Sequence, residues 1–270
     1  MAKHYTTMIG YGTSHEIPIM NNILTTFQSQ DDDSSATIRL ERLLVEKLNE
    51  FKERTGLSLE NGLLILDHTT SNTAINFPIE SVATVARKEG MLVAVDGAHG
   101  LLAQELDLRL LSRAGVDFYI SNCHKWFCSP RGAAFLYCED PTLRESILNQ
   151  PAVISHGIDD GYHSRFIWDG CRDYAAQLSI PVLIQFWEQM GLSRVRKIIR
   201  SNLLSAICLI VHKWYPEIES SPDLMSIAST ATGAMIVPVS LHSPMVRFCA
   251  LYFIFMAYHL AFYYLFAPRL

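Results

Sequence analysis

An α/β domain, built on a mainly parallel sheet covered by helices and followed by a hydrophobic C-terminal helix, is the fold this sequence predicts, on three observations. Short runs that are apolar throughout alternate with stretches of helical spacing, as in parallel strands buried on both faces. Three of those runs end in polar clusters, the pattern of a sheet whose strand ends carry ligands. The third is an apolar excess, 49% of 270 residues with a mean hydropathy of +0.15, concentrated near the C-terminus.

Thr37 to Lys52 opens the pattern as a helix, with apolar positions at Ile38, Leu40, Leu43, Leu44, Leu48 and Phe51, and Gly56 ends it. Leu63 to Leu66 reads as a buried strand, Ile79 to Lys88 as a helix stopped by Gly90, and Met91 to Val95 as a second buried strand. Phe118 to Ser121 and Ala133 to Cys138 are further short strands. Past Pro151 the chain is loop-like, with Gly157, Gly161 and Gly170. Two helices follow, Tyr174 to Met190, interrupted by Pro181, and Ser193 to Trp214. Phe248 to Ala267 is then uncharged for twenty residues between Arg247 and Arg269, long enough to cross a bilayer as a helix. Residues 247–268 are therefore expected to form a transmembrane or membrane-embedded helix, which would give the protein a membrane contact.

Composition excludes several classes of function. Net charge is -5 from 22 basic and 27 acidic residues, so a nucleic-acid footprint, which needs a clustered basic face, has no compositional support. Six cysteines lie scattered without CxxC pairs or zinc-type spacing, which argues against a metal site and for a reducing compartment. The first eight residues, Met1 to Met8, lack the apolar core of a signal peptide. The expected location is cytoplasmic, or membrane-attached through the C-terminal run.

The polar clusters are Asp67 to Asn72 (DHTTSN), Asp96 to Gly100 (DGAHG) and Ser121 to Trp126 (SNCHKW). A carboxylate, imidazoles and one lysine within thirty residues suit a cofactor that needs an amine to form an imine and an anion to keep a ring nitrogen protonated. Pyridoxal 5'-phosphate needs both. Asp96 and Lys125 fit those roles, and the glycines beside Asp96 let backbone approach a flat ring.

VAVDGAHG followed by ISNCHKWFCSPRGAAFLY resembles the cofactor-binding core of the class V aminotransferase superfamily of fold-type I pyridoxal-phosphate enzymes. Isopenicillin-N epimerase-like and cysteine desulfhydrase-like members are the nearest in pattern. LDHTTSNTAINFPI and ISHGIDDGYHSRFIWDGCRDY extend the likeness to roughly Ile17 to Ala231. The resemblance implies a partial large domain of the transferase type over residues 17–236. It makes Lys125 the aldimine lysine and the acid/base that moves the substrate's α-proton. Asp96 would pair with the pyridinium nitrogen, His99 would lie near the ring hydroxyl where many relatives carry Gln, and His124 would contact the phosphate. Thr70 would face the ring's oxygen side. The implied substrate is a small amino acid, with lyase, desulfhydrase, epimerase or transaminase chemistry. Phe166 to Tyr174 resembles the stretch that reaches the phosphate across a dimer interface, which implies a homodimer. Cys171 stands there where relatives carry a hydroxyl, and a thiol donates weakly.

The chain departs from the pattern at both ends. About sixteen residues precede the likeness, where relatives supply a phosphate-binding loop and a ring that stacks on the pyridine. The apolar run stands where relatives carry an arginine for the substrate carboxylate. An incomplete ligand set is thereby expected, and a second reading stays open: a truncated, catalytically weak or inactive protein of the same fold, associated with a membrane.

Overall fold

In the computed structural model the described residues are 36–60, 62–71, 76–147, 155–167 and 170–214. The chain begins there with helix α1 (Ala36–Thr55), whose Leu43, Leu44 and Leu48 form one buried stripe. Gly56, at φ +67, ends the helix in the left-handed conformation that a side chain resists. Strand β1 (Leu63–Asp67), helix α2 (Ile79–Lys88), strand β2 (Leu92–Asp96), helix α3 (Leu108–Ala114) and strand β3 (Phe118–Asn122) follow in alternation. Strand β4 (Ala134–Tyr137) then turns back beside β3.

The sheet order is β1-β2-β3-β4, parallel across the first three strands and antiparallel at the last. Asp67 lies opposite Asp96, and Asp96 opposite Ile120, so the three parallel strands end level with one another. On one face Leu64, Leu66, Val93, Val95 and Tyr119 pack against Leu44 and Leu48 of α1, Ile79, Val82, Ala83 and Ala86 of α2 and Leu111 of α3. That is the main core, and Ala83, Ala86, Val93, Val95 and Tyr119 in it are 0% exposed.

The other face departs from the expectation of helices on both sides. Among the described residues its cover is Leu143, from the two-turn helix α4 (Pro141–Ile147), packed on Ala94, Phe118 and Cys138 with Leu92. Leu63, Ile65, Ile120 and Leu136 on this face are 40–47% exposed. A helix of seven residues is too short to span four strands.

Helices α5 (Ser164–Ile167) and α6 (Ala175–Leu178) are single turns. The helix expected over Tyr174 to Met190 divides at Ser179, and Pro181 sits in the first turn of helix α7 (Ile180–Met190), where its missing N–H costs nothing. Helix α8 (Leu192–Trp214) completes the described chain. Trp187 of α7 with Val195 and Ile199 of α8 forms a second core with Leu102, Trp126 and Phe127, from the turns after β2 and β3. Those two helices therefore brace the ligand end of the sheet.

No helix among the described residues is long and apolar enough to cross a membrane. The run Phe248 to Ala267, and the parts 17–35 and 215–236 of the expected domain, lie outside the described residues.

Candidate active site

Three turns meet at the carboxyl ends of β1, β2 and β3, and short hydrogen bonds tie them together. His68 N donates to Asp96 O at 2.8 Å, Gly97 N to Ile120 O at 2.7 Å, and Ser121 Oγ to Gly97 O at 2.7 Å. The turn Asp96 to Gly100 is folded tightly: Gly100 N donates to Gly97 O at 2.7 Å, and Ala98 N to Asp96 Oδ1 at 2.9 Å. Asp96 therefore holds its own turn by a side-chain bond to the backbone two residues on, rather than capping a helix.

Gly97 and Gly100 are required by close approach. A Cβ on Gly97 would run into the Tyr119 ring, and one on Gly100 into the Tyr119 hydroxyl. That hydroxyl reaches over β2 to His68 Nδ1, 2.8 Å away, and both residues are buried. Burial pulls His68 down to about 4, so it is a neutral imidazole at ordinary pH. Burial, with Asp96 adding to it, pushes the Tyr119 phenol well up.

Lys125 Nζ stands 3.0 Å from His99 Nε2, which joins the turn after β3 to the turn after β2. Trp126 Nε1 approaches the other ring nitrogen, His99 Nδ1, at 3.3 Å. Burial first, then the positive charge of Lys125, lowers the titration of His99, against an opposing pull from Asp96. Burial raises the Asp67 carboxyl, with Asp96 adding to the rise and Lys125 opposing it. Two carboxylates, an imidazole and an amine thus share one electrostatic environment.

The expected site residues divide in position. Asp96, His99 and Lys125 come together. Thr70 is buried in the bend after β1, and His124, beside Lys125 in sequence, is exposed. Three groups at the site were absent from the expected ligand set: Tyr119, Trp126 and Asn122. Asn122 Oδ1, at the end of β3, is a buried side-chain atom without a hydrogen-bond partner among the described residues. A second network, Thr69 Oγ1 to Asn76 Oδ1 at 2.9 Å and Asn76 Nδ2 to Gln104 Oε1 at 3.2 Å, pins the first turn to the chain that follows the second. Burial raises the Cys128 thiol to about 11, which leaves it protonated and a poor nucleophile.

This donor set fits a cofactor with a carbonyl to meet an amine and a ring nitrogen to meet a carboxylate. Lys125 and Asp96 face one another's field across His99, and the amide of Asn122 waits for a polar partner.

Comparison with known proteins agrees with that chemistry. The Aminotransferase class-V family model matches residues 31–157, the segment that builds all three turns. A probable chloroplastic L-cysteine desulfhydrase of Arabidopsis thaliana is 30% identical over 187 residues, covering 65% of this chain and 39% of the relative. An isopenicillin N epimerase of Amycolatopsis lactamdurans is 31% identical over 153 residues, covering 51% of this chain and 37% of that protein. Among solved structures, a cystine C-S lyase in complex with cysteine persulfide aligns with a TM-score of 0.48 at 21% identity, over 66% of this chain and 46% of that one. The chain spans about two fifths of the length of the two curated relatives. The match to the Aminotransferase class-V family model covers the residues that build this site.

Proposed function

We propose that the chain binds pyridoxal 5'-phosphate through Lys125 and acts on a small amino acid, with cysteine the first substrate to test and carbon–sulfur lyase chemistry the first reaction. The observation that carries this reading is the meeting of Lys125 with His99 at 3.0 Å, in turns bonded to that of Asp96. The desulfhydrase name of a relative at 30% identity supports the substrate class. When bound, the cofactor supplies an electron sink that makes the α-proton of an amino acid removable.

Each residue then has a task that its position allows. Lys125 offers the amine that bonds the cofactor and afterwards takes the proton from the substrate's Cα. Asp96, whose Oδ1 accepts from Ala98 N, would hold the cofactor's ring nitrogen protonated through its carboxylate. His99 would meet the ring hydroxyl. His124, exposed and adjacent to Lys125, would meet the phosphate, and Thr70 would serve the ring's oxygen side. The glycines at 97 and 100 let this turn settle onto the Tyr119 ring and hydroxyl, which a side chain at either position would displace. A homodimer belongs to the same proposal, and its support is the likeness of Phe166 to Tyr174 to an interface segment.

Mixing the full chain with pyridoxal phosphate should produce an absorbance band near the visible edge that borohydride abolishes and that Lys125→Ala lacks. Absence of that band at every cofactor concentration would overturn the reading. Release of sulfide and pyruvate from cysteine, against transfer of the amine to a keto acid, then separates lyase from transaminase chemistry. Loss of optical activity in a single amino-acid enantiomer, with no sulfide, would point instead to epimerisation, the reaction named for the second relative.

A further inference from the structure

We infer that Ser121 is a positioning residue for Asp96: its hydroxyl fixes the plane of the Gly97–Ala98 peptide, and the N–H on the other edge of that plane holds the carboxylate. Ser121 Oγ donates to Gly97 O at 2.7 Å, and Ala98 N donates to Asp96 Oδ1 at 2.9 Å. That oxygen and that nitrogen belong to one peptide unit. The unit is planar and trans, so its C=O and N–H point in opposite directions and turn together. Anchoring the oxygen on β3 therefore aims the N–H at the carboxylate that ends β2. A plane turned over would face a carbonyl oxygen to that carboxylate and give up both bonds.

Three further observations support this assignment. Gly97 restrains its own backbone less than any other residue would, and a side chain there would meet the Tyr119 ring, so the plane has to be set from outside the turn. Ser121 is 1% exposed, and the other acceptor within reach of its single proton, Asn122 O, is farther away at 3.3 Å. Gly100 N also donates to Gly97 O, at 2.7 Å, and a carbonyl that accepts two hydrogen bonds makes the N–H of its own peptide a stronger donor. With Oδ1 of Asp96 taken by Ala98, Oδ2 is left for a ring nitrogen. Ser121 touches no reacting atom on this account and acts on Asp96 through one peptide.

The consequence for the cofactor rests on the reading above, whereas the clamp on the peptide is a property of the chain alone. The test is NMR of the full chain without cofactor, labelled with 13C-carbonyl glycine and 15N-alanine, which selects the amides of Ala98, Ala133 and Ala234. Ala98 is assigned by the signal lost in Ala98→Ser. A bond to a carboxylate moves an amide proton downfield, so Asp96→Asn should move the Ala98 proton back upfield. Ser121→Ala should move it the same way by a smaller amount, and Ser121→Cys, which keeps a weak donor, by less still. Asp96→Asn and Ser121→Ala together should move it no further than Asp96→Asn alone, whereas groups acting independently would add. The same pattern is expected in the affinity for pyridoxal phosphate, read from the borohydride-sensitive band: Ser121→Ala weakens it several-fold, but not in a chain that already carries Asp96→Asn. An Ala98 signal unmoved by Ser121→Ala, or shifts that add, overturns the proposal. If Ser121→Ala fails to fold, Ser121→Cys decides by the same signal. If the band forms in none of these proteins, the cofactor reading falls, and the Ala98 signal decides the clamp alone.

Discussion

One hydroxyl, on Tyr119, holds groups from three strands in place. It lies on β3, bonds His68 after β1, and sits under the Gly97 and Gly100 turn after β2. Tyr119→Phe leaves a buried imidazole nitrogen without its partner and should cost about 1–3 kcal/mol in urea unfolding. Gly100→Ala should cost more, because its methyl has to displace that hydroxyl. His68 also makes stability depend on pH with a definite sign. Its titration falls from an ordinary 6.5 to about 4 in the folded chain, so the unfolded chain takes up the extra proton first. Stability is full above the unfolded value and is lost as pH drops toward 4, by up to ~3 kcal/mol. Unfolding at a series of pH values checks this, and His68→Gln should flatten the slope in that window. Asp96, His99 and Lys125 were legible in the sequence because polar residues just past apolar runs lie at strand ends. Tyr119 and Trp126 were not, since an aromatic within or beside an apolar run reads as core. Their polar tips acquire a meaning only when distant turns are brought beside them.

Among the elements, the brace formed by α7 and α8 matters most to the site. Trp187 Nε1 donates to Phe127 O at 3.0 Å, and the side chain is 1% exposed, wedged beneath the turn that holds Lys125 and Trp126. Trp187→Phe keeps most of the packing but removes the bond to a part-buried carbonyl and should destabilise by about 1 kcal/mol, read by chemical denaturation. Trp187→Ala should cost about 3–5 kcal/mol. Helix α3 offers a milder case. Asp107 accepts from Arg109 N at 2.9 Å and Leu110 N at 3.1 Å, so Asp107→Ala should cost about 1 kcal/mol. Helix α2 appears over the same residues that its spacing predicts, because ten residues show one clear apolar stripe. Helices α3 and α4 escaped the pattern reading, as two turns carry too few apolar residues to establish a period. Their ends were nevertheless written in the sequence, at Asp107 and Gly115 for the first. Strand β1 misled in the other direction. Its continuous apolar run reads as buried on both faces, yet Leu63 and Ile65 are exposed because, among the described residues, the cover of that side is Leu143 of α4, which packs on Leu92, Ala94 and Phe118 of β2 and β3.

At the scale of the whole molecule, the direction of β4 could not be read, since an apolar run states that a strand exists and not which way it lies. Pairing of Ile120 with Leu136 settles that the chain returns antiparallel, and this brings Ala133, just before β4, against Cys123, Phe127 and Ala176. The site is consequently shared between a core of α1, α2, α3 and the sheet on one side and the brace of α7 and α8 on the other. A ligand that engages the turns between them binds the folded chain alone, so it stabilises the whole by mass action. Pyridoxal phosphate at a hundred times its dissociation constant should add about 2.7 kcal/mol. For a chain of this size that is a rise of roughly 5–10 °C in the unfolding midpoint. Lys125→Ala should lose most of the rise, because the covalent link to the amine contributes most of the affinity. Trp187→Phe should instead lower the midpoint with and without cofactor by similar amounts, as the brace supports the fold whether or not the site is filled. Differential scanning calorimetry of the three proteins, each with and without cofactor, separates the cases. An equal cofactor-induced rise in the unaltered chain and in Lys125→Ala would show that the stabilising contact is not through that amine.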